Sequence, residues 1–432
     1  MTDARVRNLS ERIVQNLADV DFYKLTMLQF IWHYFRDTIV TFRFHNRTQV
    51  NLLDYVDIYE LRHQLERITR MRFPKWCVQA LEKKYGHLFA GEFLRYLETL
   101  RLPMPVVGID TDDKLWVEVT GSWSVVMLWE TITMCIVNRL YFKAKMYELE
   151  VSEQDALQEG RARATHKFQS LAAYPTLTFV DFGTRRRWSY SHHLWVLQEA
   201  ARILPQQLAG TSNVLLGLRL NLPLVGTMAH ELPMAMQVIF RDEDEKEGRI
   251  ISQRMLWRMW SEFYKGSLTI ALPDTYGNDY GLQDFKEFAA SWAGVRHDSG
   301  DPFEFGEKVI ALYQRLGIDS TSKTIVFSDG LTHEVMIALW QRFHGRLRVS
   351  FGWGTHLTND MGFDQWENGN RGLAPLSIIM KLVAVIREGK RVKTVKLSDN
   401  PGKVTGEREE VQRVIALTHY NASAHQAVEC VV

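Results

Sequence analysis

Apolar residues recur along this chain with two different spacings, and the change of spacing divides it. DFYKLTMLQFIWHYF (21–35) sets apolar side chains three and four apart, which predicts a helix. TIVTFRFH (38–45) follows as a β-branched and aromatic run, which predicts a strand. PKWCVQALEKKY and AGEFLRYLETL return to helical spacing. LWVEVTGSWS (115–124) reads as a strand, and VVMLWETITMCIVNRLYF (125–142) as a long buried helix.

From about residue 150 the pattern changes. A helix over 152–173 opens with Ser152 and an acidic first turn. Short apolar runs then end, one after another, in polar or glycine-rich loops: TLTFVDFGTRR, LPLVGTMAHE, SLTIALPDTYG, WAGVRHDSGD, KTIVFSDGL and RLRVSFGWGTH. Helical stretches, such as 301–317 and 331–345, separate several of them. Strand alternating with helix predicts parallel strands joined by right-handed crossovers. Six or more such units suit a closed β/α barrel, whose post-strand loops gather on the face where barrel enzymes place their chemistry. An open doubly wound sheet is disfavoured: GWGTH lacks the third glycine of G-x-G-x-x-G, and G-x-x-x-x-G-K-[ST] does not occur. LSIIMKLVAVIREGKRVKTVKLSDNPGK (376–403) reads as strand, turn, strand, loop. GEREEVQRVI (406–415) reads as a β-hairpin edge. The C-terminus is expected to return to the first domain.

Composition narrows the classes. The 432 residues are enough for one large or two medium domains. Aromatics reach 12%, with 13 Trp, which suits a large core or a site that stacks flat rings. The chain carries 52 basic and 51 acidic residues, net +1, which argues against a dedicated nucleic-acid binder and leaves room for a local anion site. No apolar run is expected to reach the roughly 18 residues that span a bilayer, so no membrane partner is expected. MTDARVRNLSERIVQN shows no apolar signal core. Cys77, Cys135 and Cys430 are far apart and odd in number, which suggests neither a disulfide framework nor a zinc site; a reducing cytoplasm is the expected compartment.

Chemistry concentrates in the post-strand loops. In VGTMAHE (225–231), Gly226, Thr227 and Ala229 are expected to leave an approach path to His230, and Glu231 to orient its ring. That histidine reads as a packed residue, a general base, a metal ligand or a nucleophile. DFGTRRR (181–187) sets three guanidiniums, which bind phosphate bidentately, beside the flat ring of Phe182; alone it is equally a solvated basic loop. GTSNVLLGLRL (210–220) offers a helix N-terminus, an anion site or simply a capped helix. Asp274, Asp298 and Asp329 each follow a strand. Each is a cap or turn former, or a carboxylate for ribose hydroxyls, magnesium or a cationic sugar carbon. Arg296 among them can neutralise an anion. FGWGTH (351–356) reads as a tight turn or a backbone phosphate cradle. His192 and His193 are adjacent, so their side chains diverge and make a poor ligand pair.

DFYKLTM, FVDFGTRRRWS, GTSNVLL, GTMAHE, VRHDSGDP, FSDGL, FGWGTHLTND and VKLSDNPGK, in this order over residues 21–403, resemble the nicotinate phosphoribosyltransferase family. The resemblance implies an irregular β/α barrel (148–379) plus an α/β domain built from 1–147 and 380–432. It implies a homodimer with sites near the interface. The implied reaction joins nicotinate to 5-phosphoribosyl 1-diphosphate, with ATP hydrolysis coupled to it and Mg²⁺ required. The implied roles are His230 as phosphoryl acceptor, and Asp274, Asp298 and Asp329 as catalytic carboxylates. Phe182 is implied on one face of the nicotinate ring and Tyr23 of a partner subunit on the other, with Arg296 and Thr227 near its carboxylate. Arg185, Gly352, Gly354 and Thr355 are implied on phosphates. Related nicotinamide-using enzymes carry an Asp where Ser212 stands, so Ser212 favours the acid. Competing expectations are a nicotinamide or quinolinate phosphoribosyltransferase, and a non-catalytic ligand-binding barrel.

Overall fold

The computed structural model describes residues 11–363, 372–400 and 403–420, so Cys430 lies outside the described residues. Its first 150 residues supply β1 (Ile39–Asn46), β2 (Val106–Ile109) and β3 (Leu115–Ser122). Six short strands follow: β4 (Thr178–Asp181), β5 (Leu208–Thr211), β6 (Ile270–Ala271), β7 (Gly294–His297), β8 (Thr324–Phe327) and β9 (Arg348–Trp353). The chain then adds β10 (Ile378–Arg387) and β11 (Lys390–Lys393).

These strands form two sheets. One is antiparallel, in the order β11-β10-β1-β3-β2. In its centre Phe42 of β1 faces Leu382 of β10 and Val119 of β3, so chain separated by more than 300 residues pairs directly. The other is parallel, in the order β5-β4-β9-β8-β7-β6, with helices between consecutive strands. Its β4 and β5 register past each other with a shift between Phe179 and Val180.

The parallel sheet curls into a ring whose ends, β5 and β6, do not pair among the described residues. LPLVGTMAHE fills that gap without forming a strand. Leu224 makes a single parallel bridge to Thr211 on β5. On the other side the Thr227 hydroxyl donates to the Ile270 carbonyl of β6 at 3.4 Å. Pro223 cannot donate to a ladder, and Gly226 and Ala229 have little side chain to pack, so the run spans the gap irregularly. The barrel is therefore irregular, not closed by hydrogen bonds as expected from counting units.

The Trp123–Val126 and Trp129–Glu148 helices tie the sheets together. The second packs on β1 and β10 and on the turn after β4. Contrary to the expectation of no span-length apolar run, Trp123–Glu148 is long and apolar enough to cross a membrane. Yet 89% of its most apolar window is buried inside the protein, as in a core helix.

A second correction concerns GEREEVQRVI, which forms the Arg408–Thr418 helix and no hairpin. Val411, Val414, Ile415 and Thr418 lie at i, i+3, i+4 and i+7, which is one helical face. That face joins Val395, Leu397 and Val404 in a small separate core against Ile250 and Tyr276 of the barrel. The 395–418 segment thus straps across the barrel mouth, with Leu397 N–H donating to the Thr275 carbonyl at 2.8 Å.

Candidate active site

Five of the six post-strand loops of the parallel sheet open into one cavity of about 500 Å³. β4 delivers Phe182 and Arg185, β5 Ser212, β7 Asp298, β8 Ser328 and Asp329, and β9 Gly354 and Thr355. This is the face that a barrel's geometry reserves for chemistry. The antiparallel sheet contributes the opposite wall through Phe42, Arg47, Lys381 and Leu382.

His230 sits at the start of the Glu231–Ile239 helix and lines the cavity. Its Nδ1 lies 3.1 Å from the Thr275 hydroxyl. Its Nε2 lies 3.0 Å from Asp298 Oδ2, 3.4 Å from Asp274 Oδ1 and 2.8 Å from Lys396 Nζ. Burial depresses the imidazole pKa below its ordinary value, Asp274 opposes this, and the Lys396 ammonium adds to it. The ring is therefore neutral near pH 7.

Two expectations about this loop are corrected. Glu231 does not orient the ring: it faces away, accepting from Lys24 Nζ and Trp123 Nε1, each at 2.5 Å. Nor does Gly226 clear a path for phosphate. A Cβ there would lie 2.9 Å from the Tyr23 backbone nitrogen, so the glycine admits the Phe22–Tyr34 helix instead. Of the three small residues only Ala229 lines the cavity.

The carboxylates separate by depth. Asp298 is partly open to the cavity and binds Arg296 at 3.2 Å and the Ser328 hydroxyl at 3.0 Å. Burial would raise its pKa, but Arg296, His230 and Lys396 outweigh that and hold it well below the usual range. Asp274 is fully buried behind His230, accepting from Ser299 Oγ at 2.6 Å with Lys396 Nζ at 3.4 Å. Asp329 lines the cavity and pairs with Lys403 at 2.5 Å. His230, Asp274 and Asp298 place ligand atoms within 4.8 Å of one another. The Lys396 ammonium already lies among them, so these residues do not fit a resident divalent cation as well.

Phe182, Arg185, Ser212 and Arg296 also line the cavity. Tyr23 of this chain lines it too. Its helix is pinned by Phe22 N–H donating to the Ser212 carbonyl at 2.5 Å and by Gly226 beneath it. Gly352 does not line the cavity: a Cβ on it would meet the Phe182 ring at 2.4 Å, so it backs that ring. Thr227 is likewise absent from the lining and spends its hydroxyl on Ile270. Arg185 reaches Glu130 at 3.3 Å, and Glu130 shares Lys24 with Glu231.

Sequence reasoning missed three groups here. Asp21 accepts from Ser212 Oγ at 2.6 Å. Lys396 touches His230, although VKLSDNPGK had been singled out without a role. Arg47, Lys381 and Lys403 crowd the cavity beside Arg186 of the arginine run. Burial and the neighbouring Arg47, Lys396 and Lys403 depress Lys381 well below the usual lysine range. Burial and Arg185 push Arg186 down to about 10. His193, expected to be no metal ligand, bonds Asp181 at 2.7 Å inside the core.

Fold and site together define a β/α-barrel enzyme with an aromatic-walled pocket that runs into a cationic one. The family model for nicotinate phosphoribosyltransferase (NAPRTase) matches residues 177–422, and that for the NAPRTase N-terminal domain matches residues 18–138. Three solved structures superpose over nearly the whole chain. A nicotinate phosphoribosyltransferase from Vibrio cholerae is 31% identical, with a TM-score of 0.83, covering 96% of each chain. One from Porphyromonas gingivalis is 28% identical, with a TM-score of 0.84, covering 94% of this chain and 100% of that one. A putative one from Saccharomyces cerevisiae is 26% identical, with a TM-score of 0.81, covering 96% and 100%. The chain belongs to the nicotinate phosphoribosyltransferase family.

Proposed function

We propose that this protein transfers phosphoribose from 5-phosphoribosyl 1-diphosphate to nicotinate, releasing pyrophosphate and nicotinate mononucleotide, and couples the step to ATP through a phosphorylated His230. The observation that carries the reading is that one cavity is lined together by aromatic rings and Arg296, by Asp298 and His230, and by a cluster of cations.

The ring end suits a flat anion. Phe182 and Tyr23 supply apolar faces, and Arg296 a guanidinium for the carboxylate. Elsewhere in the cavity, burial together with neighbouring cations depresses Arg186 and Lys381, beside Arg47 and Lys403, so the cluster has unbalanced positive charge. Polyphosphates, with Mg²⁺ as their counter-ion, would balance that charge. Gly354 and Thr355 would add backbone and hydroxyl donors. As pyrophosphate leaves, the ribose carbon becomes cation-like, and the ionised Asp298 between the two ends stabilises it.

His230 is suited to accept a phosphoryl group because it is neutral and borders the cationic end. Lys396 Nζ lies 2.8 Å from its Nε2, so Lys396 must yield to a phosphoryl group arriving there and can then neutralise it. The resulting negative charge beside Asp274 and Asp298 would repel both, which gives the loop two different resting arrangements.

The test is incubation of the whole protein with γ-labelled ATP. Acid-labile label is expected on the wild type and none on His230→Ala. Label retained by the variant excludes the assigned role. Nicotinate-dependent release of pyrophosphate, measured separately, tests the transfer itself.

A further inference from the structure

Asp21 and Ser212 form a closed pair at the ring end of the cavity. Both are buried, both border the pocket, and Ser212 Oγ donates to Asp21 Oδ1 at 2.6 Å. Asp21 Oδ2 is buried and takes no hydrogen bond among the described residues. A hydroxyl has one hydrogen. While Ser212 gives it to a carboxylate, the oxygen offers the pocket only lone pairs. Those suit the N–H of an amide and repel a carboxylate. A carboxylate at this depth, beside an incoming anion, adds like-charge repulsion.

One proton reverses the pattern. With hydrogen on Asp21, the carboxyl donates to Ser212 Oγ, and the Ser212 hydrogen turns to the pocket as a donor for an anionic substituent. We propose that the proton carried by Asp21 decides whether Ser212 offers a hydrogen or a lone pair, and so sets the choice between pyridine acid and pyridine amide. The inference rests on the reading that the ring substituent lies towards Ser212.

The surroundings favour a carboxyl that holds its proton. Burial raises the Asp21 pKa, and Glu130 from the Trp129–Glu148 helix pushes the same way. Arg185, from the turn after β4, pulls against both, and the hydroxyls of Ser212 and Thr184 assist it; Thr184 makes no directed bond to Oδ2. Tyr23 on its own helix and the Cys135 thiol also face it, and both are held neutral by burial. A bound carboxylate would raise the Asp21 pKa further, so acid binding should take up a proton.

The experiment measures kcat/KM for nicotinate and for nicotinamide from about pH 6 to about pH 8.5, a range that buried carboxyls reach. The ratio of the two cancels every titration they share, including that of His230. For the wild type, the acid-to-amide ratio should fall at least ~10-fold as pH rises, one proton's worth of discrimination per pH unit. Asp21→Asn, which cannot ionise, should show a flat ratio while still using nicotinate. A flat wild-type ratio overturns the proposal, as does an unchanged slope in the variant. The wild-type curve decides the matter even if Asp21→Asn fails to fold. No nicotinate turnover by the wild type at any pH would instead sink the functional reading on which it rests.

Discussion

His230 is governed by two neighbours of opposite effect, and that yields a paired prediction. Lys396 lowers the imidazole pKa and Asp274 raises it. Activity that needs the neutral ring should fall as pH drops through a value below the ordinary histidine range. Lys396→Met should move that acid limb upward, and Asp274→Asn downward, each by about one pH unit, or ~1.4 kcal/mol. The pH profile of phosphoryl incorporation reads both; shifts of the same sign would show that the ring does not sense these charges as placed. The sequence pointed to Asp274 and to His230 through motif and position. It could not point to Lys396, because a lysine 166 residues away becomes a neighbour only through the strap that carries it. Glu231 misled for the converse reason: adjacency along the chain puts successive side chains on different sides at a helix start, and Lys24 takes that carboxylate.

Elements explain where reading the pattern succeeded. Strands of the barrel were legible as short apolar runs before polar loops, and β7, β8 and β9 lie within the runs expected of them. β5 was passed over because LAGT has one large apolar residue and so gives no apolar run; neighbours on β4 impose it. The Arg408–Thr418 helix was misread because its charges dominate and only its apolar spacing distinguishes helix from hairpin. That helix anchors Lys396, so Val414→Ala should lower stability by about 2 kcal/mol in thermal unfolding. It should also cut phosphoryl incorporation more than a comparable cavity in the antiparallel sheet does. On β9, Gly352→Ala should displace the Phe182 ring. The expected outcome is a nicotinate KM raised about 10-fold with little change in the KM for the diphosphate substrate, read by steady-state kinetics. Equal changes in both would place Gly352 at the phosphates instead.

At the scale of the whole molecule, Tyr23, Phe182 and His230 of one chain border the same cavity. If that Tyr23 serves its own site, an inactive Tyr23→Ala protein mixed and refolded with an inactive His230→Ala protein should regain no activity. Recovery towards a quarter of the wild-type rate would mean that Tyr23 serves a neighbouring copy. The sequence could not settle this, because motif order is the same whichever chain a residue serves. The strap has a last consequence, one of timing. A ribosome delivers the barrel strands first and Lys396 and Lys403 more than 40 residues after β9 begins. At about 5–20 residues per second, a nascent chain holds a folded barrel for seconds before it holds the lysine that faces its histidine. On the proposed mechanism, half-made protein therefore has no finished centre with which to consume nucleotide.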